Sequence, residues 1–221
     1  MEPALTAHVW TVAEIDEHSD RAIRLRAVLS ADERRRLSRF RCRRTRNQYL
    51  TAHALLRHAL SAVVGGVAPG AWVFTTGPGR PEIARPPTGA RFSLSRTDGA
   101  VACVVTDGPS CGVDIEPLGA PVELAEAFAF TEAERHWIGS APPGERRARR
   151  LALWTRKEAY GKARGEGLST DVRATDLRPS RPRGGWRFAQ YQTRRHFVSL
   201  AVEHPGRLRR RLHRTFPSPR P

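Results

Sequence analysis

The segment WTRKEAYGKARGEGL, residues 154–168, indicates the end of a long helix that carries charged side chains. The helical pattern runs over 146–164, and Gly165 and Gly167 end it, as glycine commonly does after a helix. Both lysines of the chain, Lys157 and Lys162, lie here, whereas the other 36 of the 38 basic residues are arginines. Lysine carries a compact charge on a flexible stem, whereas the arginine guanidinium is a planar fork. The use of lysine in this segment alone suggests that the local geometry requires the smaller charged group.

Carboxylates accompany these lysines in two places. Glu158 precedes Lys162 by four residues, so the two side chains share one helix face. Asp114 and Glu116 lie two apart on a predicted strand at 111–116 and point to the same side of it. Carboxylate oxygens are ligands that Mg²⁺ prefers. The residues alone leave two interpretations open, a magnesium site and ordinary solvated acids.

Two capping boxes suggest that the chain repeats one plan. The segment SADE at 30–33 begins one predicted helix, and TEAE at 131–134 begins another. A long helix follows each of them, at 49–60 and at 146–164, and strands follow the helices. We therefore predict two copies of one α+β unit, with chance placement of two capping boxes as the alternative. The predicted strands are 8–12, 72–75, 91–95, 100–106, 111–116, 186–192 and 196–202.

The predicted junction lies near 106–112. It gives an N-terminal subdomain at 1–108 and a C-terminal subdomain at 109–204, which holds the candidate metal and catalytic residues. Residues 205–221 are basic and contain several prolines, so we expect a flexible tail there.

Composition excludes several classes of protein. The 221 residues include 38 basic and 22 acidic ones, a net charge of +16, which favours an acidic partner. No stretch approaches the roughly 20 apolar residues of a membrane helix, and the first residues lack the pattern of a secretory signal. Three cysteines without metal-type spacing disfavour a disulfide framework and a cysteine zinc site. We expect a cytoplasmic protein with no membrane part.

The two charged segments together resemble the signature of the Sfp-type 4′-phosphopantetheinyl transferases. That signature pairs GVDIE, here at 112–116, with WTRKEAYGKARGEGL at 154–168. The segments GRP at 79–81, FSLSRT at 92–97 and FTEAE at 130–134 are similar to other segments of the family.

The resemblance implies a pseudo-dimer of two similar α+β subdomains and an enzyme, a holo-[acyl-carrier-protein] synthase. Such an enzyme moves the 4′-phosphopantetheine arm of coenzyme A to a serine of an acyl or peptidyl carrier protein and releases adenosine 3′,5′-bisphosphate. Coenzyme A is the co-substrate and Mg²⁺ the cofactor. Carrier proteins of fatty-acid, polyketide and nonribosomal-peptide synthesis are all compatible with it, and the internal repeat favours a monomer.

The resemblance also implies roles for the charged residues. Asp114, Glu116 and Glu158 would hold Mg²⁺, and Asp114, Glu158 and Lys162 would act in catalysis. Lys162 would contact the phosphates. Glu158, or a water that it orients, would accept the serine proton, so that Glu158 is a base, a metal ligand or both.

Further contacts to coenzyme A are implied outside these segments. The full set of implied coenzyme A contacts is Arg36, Arg80, Pro81, Ser95, Arg96, Asp114, Glu158 and Lys162. Arg96 stands where many relatives have histidine, which keeps a phosphate partner but removes a group that titrates near neutral pH.

Two other functions are compatible with the composition. A basic nucleic-acid-binding protein would use the arginines, but no helix-turn-helix spacing, RNA-binding aromatic run or zinc finger is present, so we expect no specific nucleic-acid recognition. A Mg²⁺-dependent phosphohydrolase would use the same acids with water as the nucleophile.

Overall fold

The structure is a computed structural model that describes residues 4–75, 81–122, 126–181 and 183–217. It is an α+β protein that divides into two compact units. The N-terminal unit is built on residues 6–108 together with the segment from 209 onwards, and the C-terminal unit on 109–208. No helix in the described ranges is both long enough and apolar enough to cross a membrane.

The helices and strands are numbered along the chain. The helices are α1 (Asp20–Ala27), α2 (Ala31–Arg39), α3 (Arg43–Val64), α4 (Glu126–Ala129), α5 (Glu132–Gly139), α6 (Pro143–Arg164) and α7 (Thr170–Ala174). The strands are β1 (Leu5–Ala13), β2 (Val73–Phe74), β3 (Ile83–Arg85), β4 (Ala90–Thr97), β5 (Ala100–Asp107), β6 (Cys111–Pro117), β7 (Trp186–Gln192), β8 (His196–Glu203) and β9 (Leu208–His213).

The main sheet of the N-terminal unit has the order β4-β5-β1-β9, and β5 is antiparallel to both β1 and β4. Helix α3 packs on β4 and β5 with the apolar stripe that the sequence predicts, and Leu55, Leu56, Ala59 and Leu60 are all buried in the core. Strands β2 and β3 form a separate antiparallel pair.

A buried ion pair fixes the capping-box helix α2 to α3. The Ser30 N–H donates to the Glu33 carboxylate at 2.8 Å, which completes the capping box. The same carboxylate accepts from the Arg57 guanidinium at 2.7 Å and lies 2.8 Å from His53 Nδ1. Arg57 is 1% exposed and also donates to the Trp72 carbonyl at 2.8 Å. One carboxylate thus begins a helix and neutralises a buried cation.

The C-terminal segment differs from the flexible tail expected at 205–221. Residues 208–213 form β9, which pairs with β1. His213 stacks on Trp10 with ring centroids 4.5 Å apart, and Phe216 packs against the core of the N-terminal unit beneath the Arg21 guanidinium. Aromatic burial outweighs the basic, proline-bearing composition on which the expectation rested.

The sheet of the C-terminal unit has the order β6-β8-β7, with both pairs antiparallel. Helix α6 packs directly on β6, because Gly112 has no side chain. A Cβ at Gly112 would lie 1.9 Å from the Ala159 carbonyl oxygen and 2.6 Å from the Ala163 nitrogen. This close approach sets the separation between β6 and the last two turns of α6.

Each unit, taken by itself, has the same order of elements. A strand is followed by a capping-box helix, a helix of 22 residues and two further strands of the same sheet, β4 and β5 or β7 and β8. The N-terminal unit has in addition the β2–β3 pair before β4, and the C-terminal unit has α7 before β7. In the N-terminal unit β5 lies between β1 and β4, and in the C-terminal unit β8 lies between β6 and β7. The strand orders β4-β5-β1 and β7-β8-β6 therefore correspond.

We expect Gly112→Ala to lower the free energy of unfolding by about 1–3 kcal/mol, because the added methyl group meets helix backbone that cannot move aside. Gly144→Ala is the matched control, since a Cβ there meets nothing within 4 Å. Urea denaturation should show a loss for the first variant and none for the second. Equal stabilities would contradict the close approach.

The Glu33 pair predicts how stability depends on pH. Burial raises the pKa of Glu33, but hydrogen bonds from His53 and Ser30 and the charge of Arg57 outweigh it and lower the pKa to about 2, from 4.5. The stabilisation is therefore present above about pH 4.5 and is lost as the pH falls towards 2.

We expect the stability difference between the wild type and Glu33→Gln to shrink over that pH range. Urea midpoints measured at several pH values test this, and a difference that stays constant between pH 6 and about pH 2 would contradict the lowered pKa.

Candidate active site

Strand β6 presents its acids towards helix α6. The Cβ direction at Gly112 meets the backbone of α6, and side chains two residues apart share a strand face. Asp114 and Glu116 therefore lie on the helix side of the sheet. Asp114 is 3% exposed, whereas Glu116 is half-buried.

Helix α6 brings a cation to this face. Lys162 Nζ donates to Asp114 Oδ1 at 2.6 Å, and the Lys162 side chain remains 28% exposed while that of Asp114 is 5% exposed. Lys162 shares a helix face with Glu158, as the sequence predicts. Its contact with Asp114 also joins α6 to β6, which are distant in the sequence. A half-open ammonium beside a buried carboxylate can meet an anion that arrives from solvent.

Glu158 completes the acidic group. Burial raises the pKa of Glu158 above its ordinary value, and the negative charges of Asp114 and Glu116 raise it further, while Lys162 acts in the opposite direction. Glu158 shares a helix face with Lys162, and Lys162 contacts Asp114, so this face of α6 is the one turned towards the acids of β6. A carboxylate with a raised pKa is a stronger proton acceptor than an ordinary one.

The predicted magnesium ligands are not assembled as a metal site. Among the described residues, no group of three or more His, Cys, Asp or Glu side chains is placed to hold a metal ion. Asp114 Oδ1 instead accepts a hydrogen bond from Lys162. The donor chemistry nevertheless fits a hard cation, because Asp114 and Glu116 share the helix side of β6 and carboxylate oxygens are the ligands that such a cation prefers.

The other predicted coenzyme A contacts belong to the N-terminal unit. Arg36 on α2 and Arg96 on β4 are exposed, and their charges act on the Tyr49 hydroxyl, whose pKa burial raises to about 12. Pro81 is exposed and Ser95 is buried at 7% exposure. The Arg36 guanidinium carbon lies 5.9 Å from the centroid of the Tyr49 ring.

Arg80, also a predicted coenzyme A contact, lies outside the described residues.

Comparisons with known proteins identify the family. The family model for the 4′-phosphopantetheinyl transferase superfamily matches residues 110–211. The chain is 30% identical over 168 residues to the 4′-phosphopantetheinyl transferase HetI of Nostoc sp., covering 73% of this chain and 70% of that relative. This chain belongs to the 4′-phosphopantetheinyl transferase superfamily. The family resemblance seen in the sequence is confirmed.

Two further relatives extend the comparison. The L-aminoadipate-semialdehyde dehydrogenase-phosphopantetheinyl transferase of Eremothecium gossypii is 33% identical over 171 residues, which cover 74% of this chain and 60% of that protein. The 4′-phosphopantetheinyl transferase psf-1 of Bacillus pumilus is 31% identical over 146 residues, or 66% of this chain and 61% of that protein. The chain thus spans less than two thirds of the length of both relatives. These comparisons lend no support to a nucleic-acid-binding protein or a phosphohydrolase.

Lys157 of the transferase signature has a role that the sequence analysis missed. It is completely buried, and its ammonium lies 2.9 Å from the Glu134 carboxylate. It also donates to the carbonyls of Arg173 at 2.8 Å and Thr175 at 2.9 Å. The Val172 carbonyl is a fourth and longer acceptor at 3.3 Å, so the three N–H groups of the ammonium are all satisfied. The sequence feature that could have indicated this role is the lysine itself, since the other basic residues of the chain, apart from Lys162, are arginines.

Gly161 of the same signature is needed for the turn that follows α6. A Cβ at Gly161 would lie 2.1 Å from the Gly167 carbonyl oxygen, so only glycine lets the loop fold back on the helix. Gly165 caps α6 with a φ of 76°, in the left-handed region. The glycines of the signature thus close the helix that carries Glu158 and Lys162.

We expect the two lysines to differ sharply in their effect on stability. Lys157→Met leaves the Glu134 carboxylate buried without its cation, which should cost about 3–5 kcal/mol. Lys162→Met, the comparison, also leaves a buried carboxylate, that of Asp114, but the Lys162 side chain is 28% exposed and solvent can partly replace its ammonium, so the loss should be smaller. Urea denaturation measures both losses, and a similar loss for the two variants would contradict the structural role of Lys157.

Proposed function

We propose that this protein transfers the 4′-phosphopantetheine arm of coenzyme A to a serine of an acyl or peptidyl carrier protein and releases adenosine 3′,5′-bisphosphate. The observation that carries the proposal is the contact between Asp114 and Lys162, with Glu158 beside it. It joins the two segments that define the family signature, GVDIE and WTRKEAYGKARGEGL.

The charges of the site suit this transfer. The serine oxygen attacks the phosphorus atom that bears the pantetheine. The bond between this phosphorus and the bridging oxygen of the pyrophosphate breaks, and adenosine 3′,5′-bisphosphate leaves with the electron pair of that bond. Lys162, which reaches solvent, stabilises the negative charge that develops on the phosphate oxygens. Glu158 accepts the serine proton, directly or through a water, because its raised pKa makes it a stronger proton acceptor than an ordinary carboxylate.

Asp114, Glu116 and Glu158 are the residues that would hold Mg²⁺. When bound, the ion supplies further positive charge to the pyrophosphate. Lys162 donates a hydrogen bond to Asp114, and its side chain is 28% exposed. The long side chain therefore has room to reach a substrate phosphate from this position.

The family resemblance assigns the remaining contacts to coenzyme A. Arg36 and Arg96 are exposed guanidinium groups, and a guanidinium can bind phosphate with two parallel hydrogen bonds. We assign Arg80, Pro81 and Ser95 to the same ligand on the basis of the family resemblance.

We further propose that the two units are copies of one ancestral α+β unit and form a pseudo-dimer, with subdomains at 1–108 and 109–204. The shared order of elements and the two helices of 22 residues support this. On sequence grounds we also propose a cytoplasmic monomer.

Mass spectrometry of an apo carrier protein tests the activity. Incubation with this protein, coenzyme A and Mg²⁺ should add the mass of the phosphopantetheine arm, and EDTA should prevent it. No mass gain on any fatty-acid, polyketide or peptide carrier would overturn the proposal, and breakdown of coenzyme A without a carrier would indicate a hydrolase.

Substitutions of the acids test the site. We expect Glu158→Gln and Asp114→Ala to lower turnover by about 10²–10⁴-fold while the protein stays folded, because each removes a charge that the transfer needs. Glu145→Gln, an exposed acid at the start of the same helix, should leave turnover unchanged. Near-normal turnover of Asp114→Ala would show that this carboxylate does not act in the reaction.

A further inference from the structure

A chain of buried hydrogen bonds joins α6 to strands β7 and β8. The hydroxyl oxygens of Thr155 and Ser199 lie 2.7 Å apart, and both residues are completely buried. Gln190 Nε2 lies 2.8 Å from Ser199 Oγ and 2.7 Å from the Ala152 carbonyl oxygen. We call Thr155, Ser199 and Gln190 the hydroxyl bridge.

One assignment of the donors gives every group of the hydroxyl bridge a partner. The two N–H groups of Gln190 donate to the Ala152 carbonyl and to Ser199 Oγ. The Thr155 hydroxyl donates to the Leu151 carbonyl at 2.8 Å and also lies 3.3 Å from the Ala152 carbonyl. In this assignment Ser199 donates to Thr155 Oγ1, although either hydroxyl has the geometry to be the donor. Each donor has an acceptor, and the chain runs from β7 through β8 to α6.

The hydroxyl bridge lies next to the acidic group of the site. Ser199 is directly opposite Asp114 in the pairing of β6 with β8, and opposite residues of an antiparallel pair lie on the same face. Thr155 precedes Glu158 by three residues, or about one helical turn. The hydroxyl bridge therefore connects Ser199, the strand neighbour of Asp114, to the helical turn that carries Glu158.

We propose that Thr155, Ser199 and Gln190 are positioning residues that set the distance between Glu158 and Asp114. The proposal rests on the proposed function, since these acids are placed in the transfer reaction. Apolar contacts are non-directional and allow a helix to slide along a sheet. A buried hydrogen bond fixes the distance and angle between its atoms, so the bridge holds α6 at one position along β8.

A pair of variants at one position separates the hydroxyl from the shape of the side chain. Thr155→Val keeps the shape but leaves the Ser199 proton without an acceptor, and Thr155→Ser keeps the hydroxyl. We expect Thr155→Val to lower kcat about tenfold or more, with a smaller change in KM for coenzyme A, because misplacement of a reacting group slows the chemical step. Thr155→Ser should restore most of kcat.

A stability control accompanies this pair. Ile138→Val removes one buried methyl group from α5 and does not touch the hydroxyl bridge. It should lower the midpoint of unfolding and leave kcat unchanged. If Thr155→Val also leaves kcat unchanged, or if Thr155→Ser loses as much, the bridge serves the fold alone and the proposal is overturned.

A second measurement does not depend on activity. If the bridge sets where α6 lies on the sheet, Thr155→Val should also change the contact between Lys162 and Asp114. The unfolding free energies of Thr155→Val, Lys162→Met and the double variant should then be non-additive, although positions seven residues apart on a helix lie about 10 Å apart and would ordinarily add. Additive losses would overturn the positioning role.

The two proposals fail in different ways. If the wild-type protein transfers no phosphopantetheine arm, the proposed function is wrong, and the double-variant measurement still decides whether the bridge positions α6. If the wild type is active and the losses are additive, the function stands and the positioning role is wrong.

Discussion

Each unit depends on one buried carboxylate that performs two tasks. Glu33 and Glu134 both complete a capping box and both bind a buried cation on the following long helix, Arg57 and Lys157 respectively. The two cations occupy the same position in their 22-residue helices, counted from the first residue. Removing either partner leaves an uncompensated charge in the core. Each ion pair therefore fixes the position of the capping-box helix relative to the long helix that follows it.

That geometry is what the active site is built upon. Lys157 also binds the carbonyls at the end of α7, so α5, α6 and α7 meet at one ammonium. Gly112 then lets α6 lie against β6, and Lys162, on the same helix face as Glu158, contacts Asp114. Of the two lysines of the signature, the buried Lys157 stabilises the fold, and the partly exposed Lys162 belongs to the candidate active site.

The sequence could predict the parts of this arrangement that are local. Both capping boxes are confirmed, and so is the end of α6 at Gly165, because these depend on side chains a few residues apart. The strands at 100–106 and 196–202 also lie within β5 and β8.

Other features could not be predicted, because distant partners decide them. Helix α3 begins at Arg43, earlier than its apolar pattern suggests, since Arg46 binds the buried Glu17 carboxylate at 2.7 Å. The arginines of β9 hide its strand pattern. For the candidate site, the sequence indicates the acids and Lys162, but the hydrogen bond from Lys162 to Asp114 depends on tertiary packing.

The return of the last strand to the first unit has a consequence for synthesis on the ribosome. β1 leaves the ribosome early, yet its neighbour β9 and the aromatic ring of Phe216 emerge only after the whole second unit. Until then one edge of β1 stays open and Trp10 lacks its stacking partner His213. Vectorial folding therefore leaves the first unit incomplete while the second is being made, and its closure comes late in synthesis.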